Sequence, residues 1–113
     1  MAKLNQNIIL FKDRFRVIQF TAEGVETLSG FRAYWAVAAD AGETALLSKS
    51  TEGGSPDIVF DGVKVLITIH PGDFSAQEPG DYYHELLFFD AGDNPVQAAI
   101  GKIDLRAVTI ASV

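Results

Sequence analysis

A length of 113 residues leaves room for a single domain, and we expect residues 1–113 to fold as one unit. Hydrophobic residues make up 48% of the chain, enough apolar surface for it to fold without a metal or another cofactor. The absence of cysteine excludes a disulfide framework, a thiolate zinc site and a cysteine nucleophile. Because the net charge is −6 and Lys and Arg are scattered singly, nucleic acid is not an expected partner.

Membrane insertion is not expected either. The longest apolar runs, such as residues 86–89, fall far short of the ~20 residues that a membrane-spanning helix needs. Residues 1–10 lack the long apolar stretch of a secretion signal, so synthesis in the cytoplasm is expected.

Short runs rich in β-branched and aromatic residues follow one another along the chain. From Phe31 to Val37 every second residue is apolar, which predicts a strand with Trp35 on its buried face. Residues 63–70 alternate in the same way. The predicted strands are residues 8–11, 15–21, 31–37, 44–50, 57–60, 63–70, 82–90, 96–102 and 105–110.

Turn-forming residues separate these runs at intervals of about 8 to 12 residues, which is typical of an all-β sandwich or barrel. Asp61-Gly62 lies between two strand runs and predicts a tight hairpin. Residues 73–77 form the one helix-like piece, long enough for a single capped turn. The predicted core contains Phe20, Phe31, Trp35, Val65, Ile67, Tyr82, Leu86 and Phe88.

The two histidines do not form a recognisable catalytic or metal site. His84-Glu85 begins like the helical zinc motif of metalloproteases, but Phe88 stands where the second histidine would be. We therefore expect His84 to be partly buried and hydrogen-bonded, and His70 to lie in solvent. Asp57 and Asp61 flank a predicted strand and are expected to be solvated.

Other catalytic patterns are missing from the sequence as well. It contains neither the Gly-x-Ser-x-Gly elbow of a serine nucleophile nor a Gly-rich phosphate loop. Asp90, Asp93 and Asn94 supply oxygen ligands, but without the spacing and closing Glu of a calcium loop they predict a hairpin turn. We expect no enzyme activity, no cofactor, and no catalytic, cofactor-binding or metal-binding residues.

The strand predicted over residues 82–90 carries apolar side chains on both of its faces. If Leu86 points inward, then Leu87 and Phe89 point outward, and the opposite orientation also leaves apolar residues outside. Either terminal segments of the same chain cover this second face, or an oligomer or a neighbouring protein does. Both alternatives stay open at this point.

Four features in succession resemble a known family. They are Leu47-Ser48-Lys49-Ser50-Thr51-Glu52-Gly53-Gly54, Asp61-Gly62-Val63-Lys64-Val65, Pro79-Gly80-Asp81-Tyr82-Tyr83-His84-Glu85-Leu86 and Gly101. The succession, within residues 15–110, is similar to small immunoglobulin-like β-sandwich proteins of tailed bacteriophages and prophages, akin to the N-terminal domain of phage baseplate upper proteins.

This resemblance implies an all-β, antiparallel immunoglobulin-like β-sandwich of about eight or nine short strands. It also implies a non-enzymatic virion structural protein, located at the baseplate, tail tip, fibre or capsid. Its partners would be other virion proteins and copies of itself. Tyr82 after Pro79-Gly80 resembles the tyrosine corner of such sandwiches. The chain departs from antibody domains in lacking their disulfide and its pairing with Trp.

Partner contacts are expected from the N-terminal segment, from the outward aromatic face and from free strand edges. The alternative function is a carbohydrate-binding module for host-surface glycans, which predicts exposed and coplanar aromatic rings. The candidate partner-binding residues are Leu4, Ile8, Tyr34, Tyr83, Leu87 and Phe89.

Overall fold

The computed structural model describes residues 6–22, 25–53 and 56–107. Within these ranges the chain forms eight strands and no helix, and so no helix that could cross a membrane. The prediction of an all-β protein is confirmed. The strands are β1 Ile8–Phe11, β2 Arg16–Thr21, β3 Arg32–Ala38, β4 Leu47–Ser50, β5 Ile58–Asp61, β6 Lys64–Ile69, β7 Gly80–Phe89 and β8 Pro95–Arg106.

The strands form two sheets that pack face to face. One sheet has five strands in the order β1-β8-β7-β3-β4, and the other has three in the order β2-β6-β5. In the immunoglobulin sandwich, strands C, F and G share one sheet and strands B, E and D the other; β3, β7, β8 and β2, β6, β5 take these positions. The predicted immunoglobulin-like sandwich is confirmed, with one exception to its antiparallel pairing: β1 runs parallel to β8.

The core lies between the sheets and follows the two-residue alternation of the strands. Trp35 at the centre of β3 is 0% exposed, and Val65 and Ile67 on β6 face it from the other sheet. Of the predicted core residues, Trp35, Val65, Ile67, Leu86 and Phe88 are buried, and Phe20, Phe31 and Tyr82 are partly buried against them.

The local turn chemistry is largely as expected. Asp61 pairs with Lys64 across a two-residue hairpin loop, and Gly62 adopts a φ of 64°, the left-handed conformation that glycine accepts without strain. The Tyr82 hydroxyl donates a hydrogen bond to the carbonyl oxygen of Glu78, so the tyrosine corner is present. Residues 73–77 form successive turns rather than a helix.

Most predicted strands agree with the structure to within two residues at each end, and three differ more. Leu47 rather than Thr44 begins β4. The two strands predicted over residues 96–102 and 105–110 are one twelve-residue strand in the described part of the chain, and residues 108–110 lie outside it. Gly101 does not break β8; a Cβ at this position would lie 2.4 Å from the carbonyl oxygen of Gln6, so glycine allows the N-terminal segment to pass closely.

A buried ion pair joins the two sheets at one edge of the sandwich. The Nζ atom of Lys49, whose side chain is 3% exposed, lies 2.8 Å from Asp57 Oδ2 and 2.7 Å from Asp73 Oδ2. His70 is exposed as expected, but its Nε2 lies 2.9 Å from Asp57 Oδ1. Hydrogen bonds from Lys49 and then from His70 lower the pKa of Asp57. The prediction that Asp57 is a solvated strand end is wrong.

Candidate protein-binding face

Four of the predicted partner-binding residues lie together on the outer side of the five-stranded sheet. Tyr34 on β3 pairs with Leu87 on β7, and Phe89 and Tyr83 lie two and four residues away from Leu87 on the same side of β7. All four side chains are half-buried. The alternation of β3 and β7 therefore brings these residues to one surface, as the sequence pattern predicts.

The two N-terminal candidates have different positions. Leu4 lies outside the described residues. Ile8 turns inward and packs against the core, whereas its neighbours Ile9 and Phe11 are 45% and 46% exposed. Ile9 pairs with Asp104 on β8, so it belongs to the same outer side of the sheet. Sequence reasoning missed these two residues, although the same alternation could have identified them.

The outward residues of β1, β3 and β7 lie on one side of the sheet, which we call the five-stranded outer face, and the charged residues Arg32, Glu85, Lys102, Asp104 and Arg106 lie among them. The register places Ile100 of β8 beside Glu85, and Glu85 beside Ala36 of β3. The apolar residues of the five-stranded outer face are Ile9, Phe11, Tyr34, Ala36, Tyr83, Leu87, Phe89 and Ile100.

An ordered cluster of polar groups borders one end of this face. Arg32 forms ion pairs with Asp93 at 2.5 Å and with Glu52 at 3.5 Å, and its guanidinium carbon lies 4.9 Å from the centre of the Phe89 ring. The Tyr34 hydroxyl donates to Glu52 at 2.9 Å, and this hydrogen bond raises the pKa of Tyr34. These contacts hold the aromatic side chains in place before any partner arrives.

The aromatic rings do not form a flat platform. Tyr34 and Phe89 meet edge to face, with ring centres 5.6 Å apart and an interplanar angle of 90°. A sugar ring stacks on an aromatic face, and two perpendicular rings present only one such face in any direction. This pair therefore lacks the coplanar arrangement that the carbohydrate-binding alternative predicts.

The polar side chains inside the sandwich serve its structure. His84 is fully buried rather than partly buried, and it accepts a hydrogen bond from Trp35 Nε1 at 3.2 Å. Trp35 thus does occupy the buried position on β3 that antibody domains use, with His84 as its partner in place of a disulfide. No group of three His, Cys, Asp or Glu side chains within residues 6–22, 25–53 and 56–107 is placed to hold a metal ion.

The residues considered for calcium form a turn. Asp90 Oδ1 accepts hydrogen bonds from the backbone N–H groups of Gly92 and Asn94, at 2.9 and 3.0 Å. These bonds, led by the one from Asn94, lower the pKa of Asp90. Its carboxylate therefore caps the connection between β7 and β8, as expected for a hairpin turn.

Comparisons with known proteins concern the fold alone. No family model matches the sequence, and no curated protein matches it. One similar solved structure is a strand-swapped dimer of the extracellular domain of mouse leukocyte-associated immunoglobulin-like receptor 1, with a TM-score of 0.46, 9% identity, and coverage of 90% of this chain and 89% of that chain.

Another solved structure is the extracellular domain of the voltage-gated sodium channel β4 subunit, described as a parallel homodimer with a role in cell–cell adhesion. Its TM-score is 0.42 at 14% identity, and the match covers 96% of this chain and 93% of that chain. Likenesses at this level carry no argument about partners or activity. The strand order and the tyrosine corner themselves make this chain an immunoglobulin-like β-sandwich.

Proposed function

We propose that this protein is a non-enzymatic binding module that docks on other proteins through its five-stranded outer face. The observation that carries the proposal is the apolar cluster on β3 and β7: Tyr34 pairs with Leu87, Phe89 and Tyr83 lie on the same side of β7, and all four side chains are half-exposed. Contiguous apolar surfaces of this kind on a folded domain are typical of interaction sites. The ordered Arg32 and Tyr34 at its border belong to the residue types that dominate binding energies at interfaces.

The opposite surface of the sandwich provides an internal reference. We call it the three-stranded outer face, and its residues are Val17, Gln19, Thr21, Val59, Asp61, Lys64, Leu66 and Thr68. Both faces carry polar and apolar residues, but the five-stranded outer face groups aromatic rings, those of Tyr34, Tyr83 and Phe89, whereas the three-stranded outer face has no aromatic residue among those named. The five-stranded outer face is the better candidate for a covered surface.

The partner is proposed on the sequence resemblance alone. Similarity to small phage and prophage sandwich proteins supports a virion structural role, with other virion proteins or further copies of this chain as partners. On that proposal the protein is made in the host cytoplasm and works in the virion. The apolar side chains of the five-stranded outer face support contacts with proteins. Its aromatic pair, Tyr34 and Phe89, is not coplanar, which argues against stacking on a sugar ring.

The test compares two leucines at equivalent places on opposite faces. Leu87 on β7 and Leu66 on β6 are both half-buried and point outward. We expect Leu87→Glu to abolish binding, since it places a charge in the apolar interface, while Leu66→Glu leaves binding intact. Light scattering of each variant, alone and mixed with purified particle proteins encoded beside it, gives the mass of any assembly.

The outcomes separate the competing functions. An assembly formed by the wild type and by Leu66→Glu, but not by Leu87→Glu, supports the proposal. A wild type that stays monomeric in every mixture, or an assembly that Leu87→Glu forms as well as the wild type, overturns it. Retention of that monomer on host-surface glycans would favour the carbohydrate-binding alternative.

A further inference from the structure

An imidazole occupies the centre of this sandwich. His84 is 0% exposed, and the rings of Phe20 and Trp35 each lie 6.0 Å from its centre. His84 follows Tyr82 of the tyrosine corner by two residues, the place of the second disulfide cysteine in antibody domains. A titratable group thus stands where those domains carry a covalent bond.

The hydrogen bonds of His84 define its protonation state. Trp35 Nε1 can only donate, so His84 Nδ1 must accept the 3.2 Å bond and carries no proton. The single proton is therefore on Nε2, which donates to the backbone carbonyl oxygen of Gln6 at 2.6 Å. The neutral imidazole is fully satisfied. A second proton would turn Nδ1–H toward the N–H of Trp35 and break that hydrogen bond.

The segment that covers this imidazole leads directly into β1. The Gln6 N–H donates to the carbonyl of Ile100 at 2.9 Å, and the side-chain oxygen of Asn7 accepts from the backbone N–H of Lys102 at 3.0 Å. Gly101 opposite His84 leaves the space in which Gln6 lies. Water can therefore reach His84 from this side only when the segment at Gln6 moves away from β8.

Charged side chains around His84 either point outward or pair with one another. Lys49 on β4 points inward and pairs with Trp35 in the sheet, but its Nζ is engaged by Asp57 and Asp73 at 2.8 and 2.7 Å. Glu85 on β7, Lys102 on β8 and Arg32 on β3 alternate onto the outer side of the five-stranded sheet. Arg16 at the start of β2 is exposed and donates to the carbonyl oxygen of Ile9, and Lys64 on β6 is also exposed. None of these charges bonds to the imidazole, whose hydrogen-bond partners are Trp35 and the Gln6 carbonyl, so no carboxylate among the described residues pairs with a buried imidazolium.

We propose that His84 is a proton-sensitive latch that holds the N-terminal strand β1, with the segment at Gln6, against β8. Uptake of a proton breaks the bond with Trp35 and favours a state in which the segment at Gln6 and β1 leave β8, so that the imidazolium is hydrated. Detachment of β1 leaves the outer edge of β8 unpaired, and an unpaired edge is able to add a strand from another chain.

The direction of the pH effect follows from burial. Burial lowers the pKa of His84, and the hydrogen bond to Gln6 opposes this only in part. The closed form therefore stays neutral while an opened form titrates near the ordinary histidine pKa of about 6.5. The latch is fully closed above that pH and weakens as the pH falls below it, because the opened form binds the extra proton.

The experiment measures amide hydrogen exchange of the wild-type protein at pH 7.5 and at pH 5.5, corrected for intrinsic exchange rates. We expect the opening of the Gln6 and Lys12 amides, which bond to β8, to rise about tenfold at the lower pH. The amide of Ala22, which bonds to Val63 in the other sheet, serves as the internal reference and should change much less.

A nitrogen NMR titration of the two imidazoles identifies the group responsible. The latch requires the proton of His84 on Nε2 and a pKa below about 6.5. The matched control is His70→Gln, which should retain the pH-dependent opening, whereas His84→Gln should lose it. Equal changes at Gln6 and Ala22, or a charged His84 in the closed protein at pH 6, would overturn the proposal. Because the exchange and NMR measurements use the wild type, they decide the question even if His84→Gln fails to fold.

Discussion

The two sides of strands β3 and β7 differ in how far their side chains are exposed. Their inward side chains, with Trp35, Leu86 and Phe88 among them, are buried against the second sheet. Their outward side chains, including Tyr34 and Leu87, are only half-buried although most are as apolar. On the proposed function, the two-residue alternation separates stability from binding within the same strands. The inward side chains form the core, and the outward side chains remain partly accessible to a partner.

The largest expected effect is on the inward side, at Trp35. Replacing Trp35 with Ala removes the largest fully buried side chain and the donor to His84 Nδ1, and should lower the free energy of unfolding by about 3–5 kcal/mol. Urea denaturation measures this loss. Tyr34→Ala, one residue away and facing outward, is the control and should cost about 1 kcal/mol. A loss below about 1 kcal/mol for Trp35→Ala contradicts its place in the core.

Two adjacent leucines on β7 sharpen the comparison. Leu86 is 1% exposed, whereas Leu87 is half-buried on the five-stranded outer face. Leu86→Ala should therefore cost about 2–5 kcal/mol of unfolding free energy, and Leu87→Ala less than about 1 kcal/mol. Chemical denaturation of both variants under the same conditions is the measurement. Similar losses for the two would mean that Leu87 is part of the core rather than of a binding face.

One inward residue is charged, in contrast to the apolar inward residues of β3 and β7. Lys49 lies inward on β4, and Lys49→Met should cost about 2 kcal/mol because Asp57 and Asp73 lose a charged hydrogen-bond donor.

The effect of Lys49→Met should depend on pH. The lowered pKa of Asp57 means that its contribution is present above the ordinary value of about 4 and is lost as the pH falls through the folded value. The difference in melting temperature between Lys49→Met and the wild type, measured by thermal denaturation, should therefore become smaller as the pH is lowered. A difference in melting temperature that stays constant from pH 7 to pH 2 would contradict this account.

Local patterns in the sequence were sufficient for much of the fold. The alternation around Trp35 and along β6, and the Asp61-Gly62 turn, depend on neighbouring residues, and their structures are confirmed. The parallel pairing of β1 with β8 and the ion pairs of Lys49 depend on residues distant in the sequence, for which a single chain has no local signal. The structural reason for Gly101, the passage of Gln6, lies 95 positions away in the sequence and has no local signal either.

The candidate face was predicted better on β7 than on β1. On β7 the excess of apolar residues predicts an apolar outer side in either orientation, and the orientation with Leu86 inward identified Leu87 and Phe89. On β1 the orientation had to be chosen, and Ile8 was selected although Ile9 is the exposed residue. A shift of one residue moves a side chain to the opposite side of a sheet, so an error of this size changes the assignment completely.

The most direct test of the binding face is hydroxyl-radical footprinting of the wild-type protein, alone and in the assembly it forms with its partner. We expect the labelling of Tyr83, Leu87 and Phe89 to fall strongly in the assembly, while Leu66 and Val59 on the three-stranded outer face stay as reactive as in the isolated protein. Unchanged labelling of Leu87, together with protection of Leu66, would place the interface on the other sheet and contradict the proposed function.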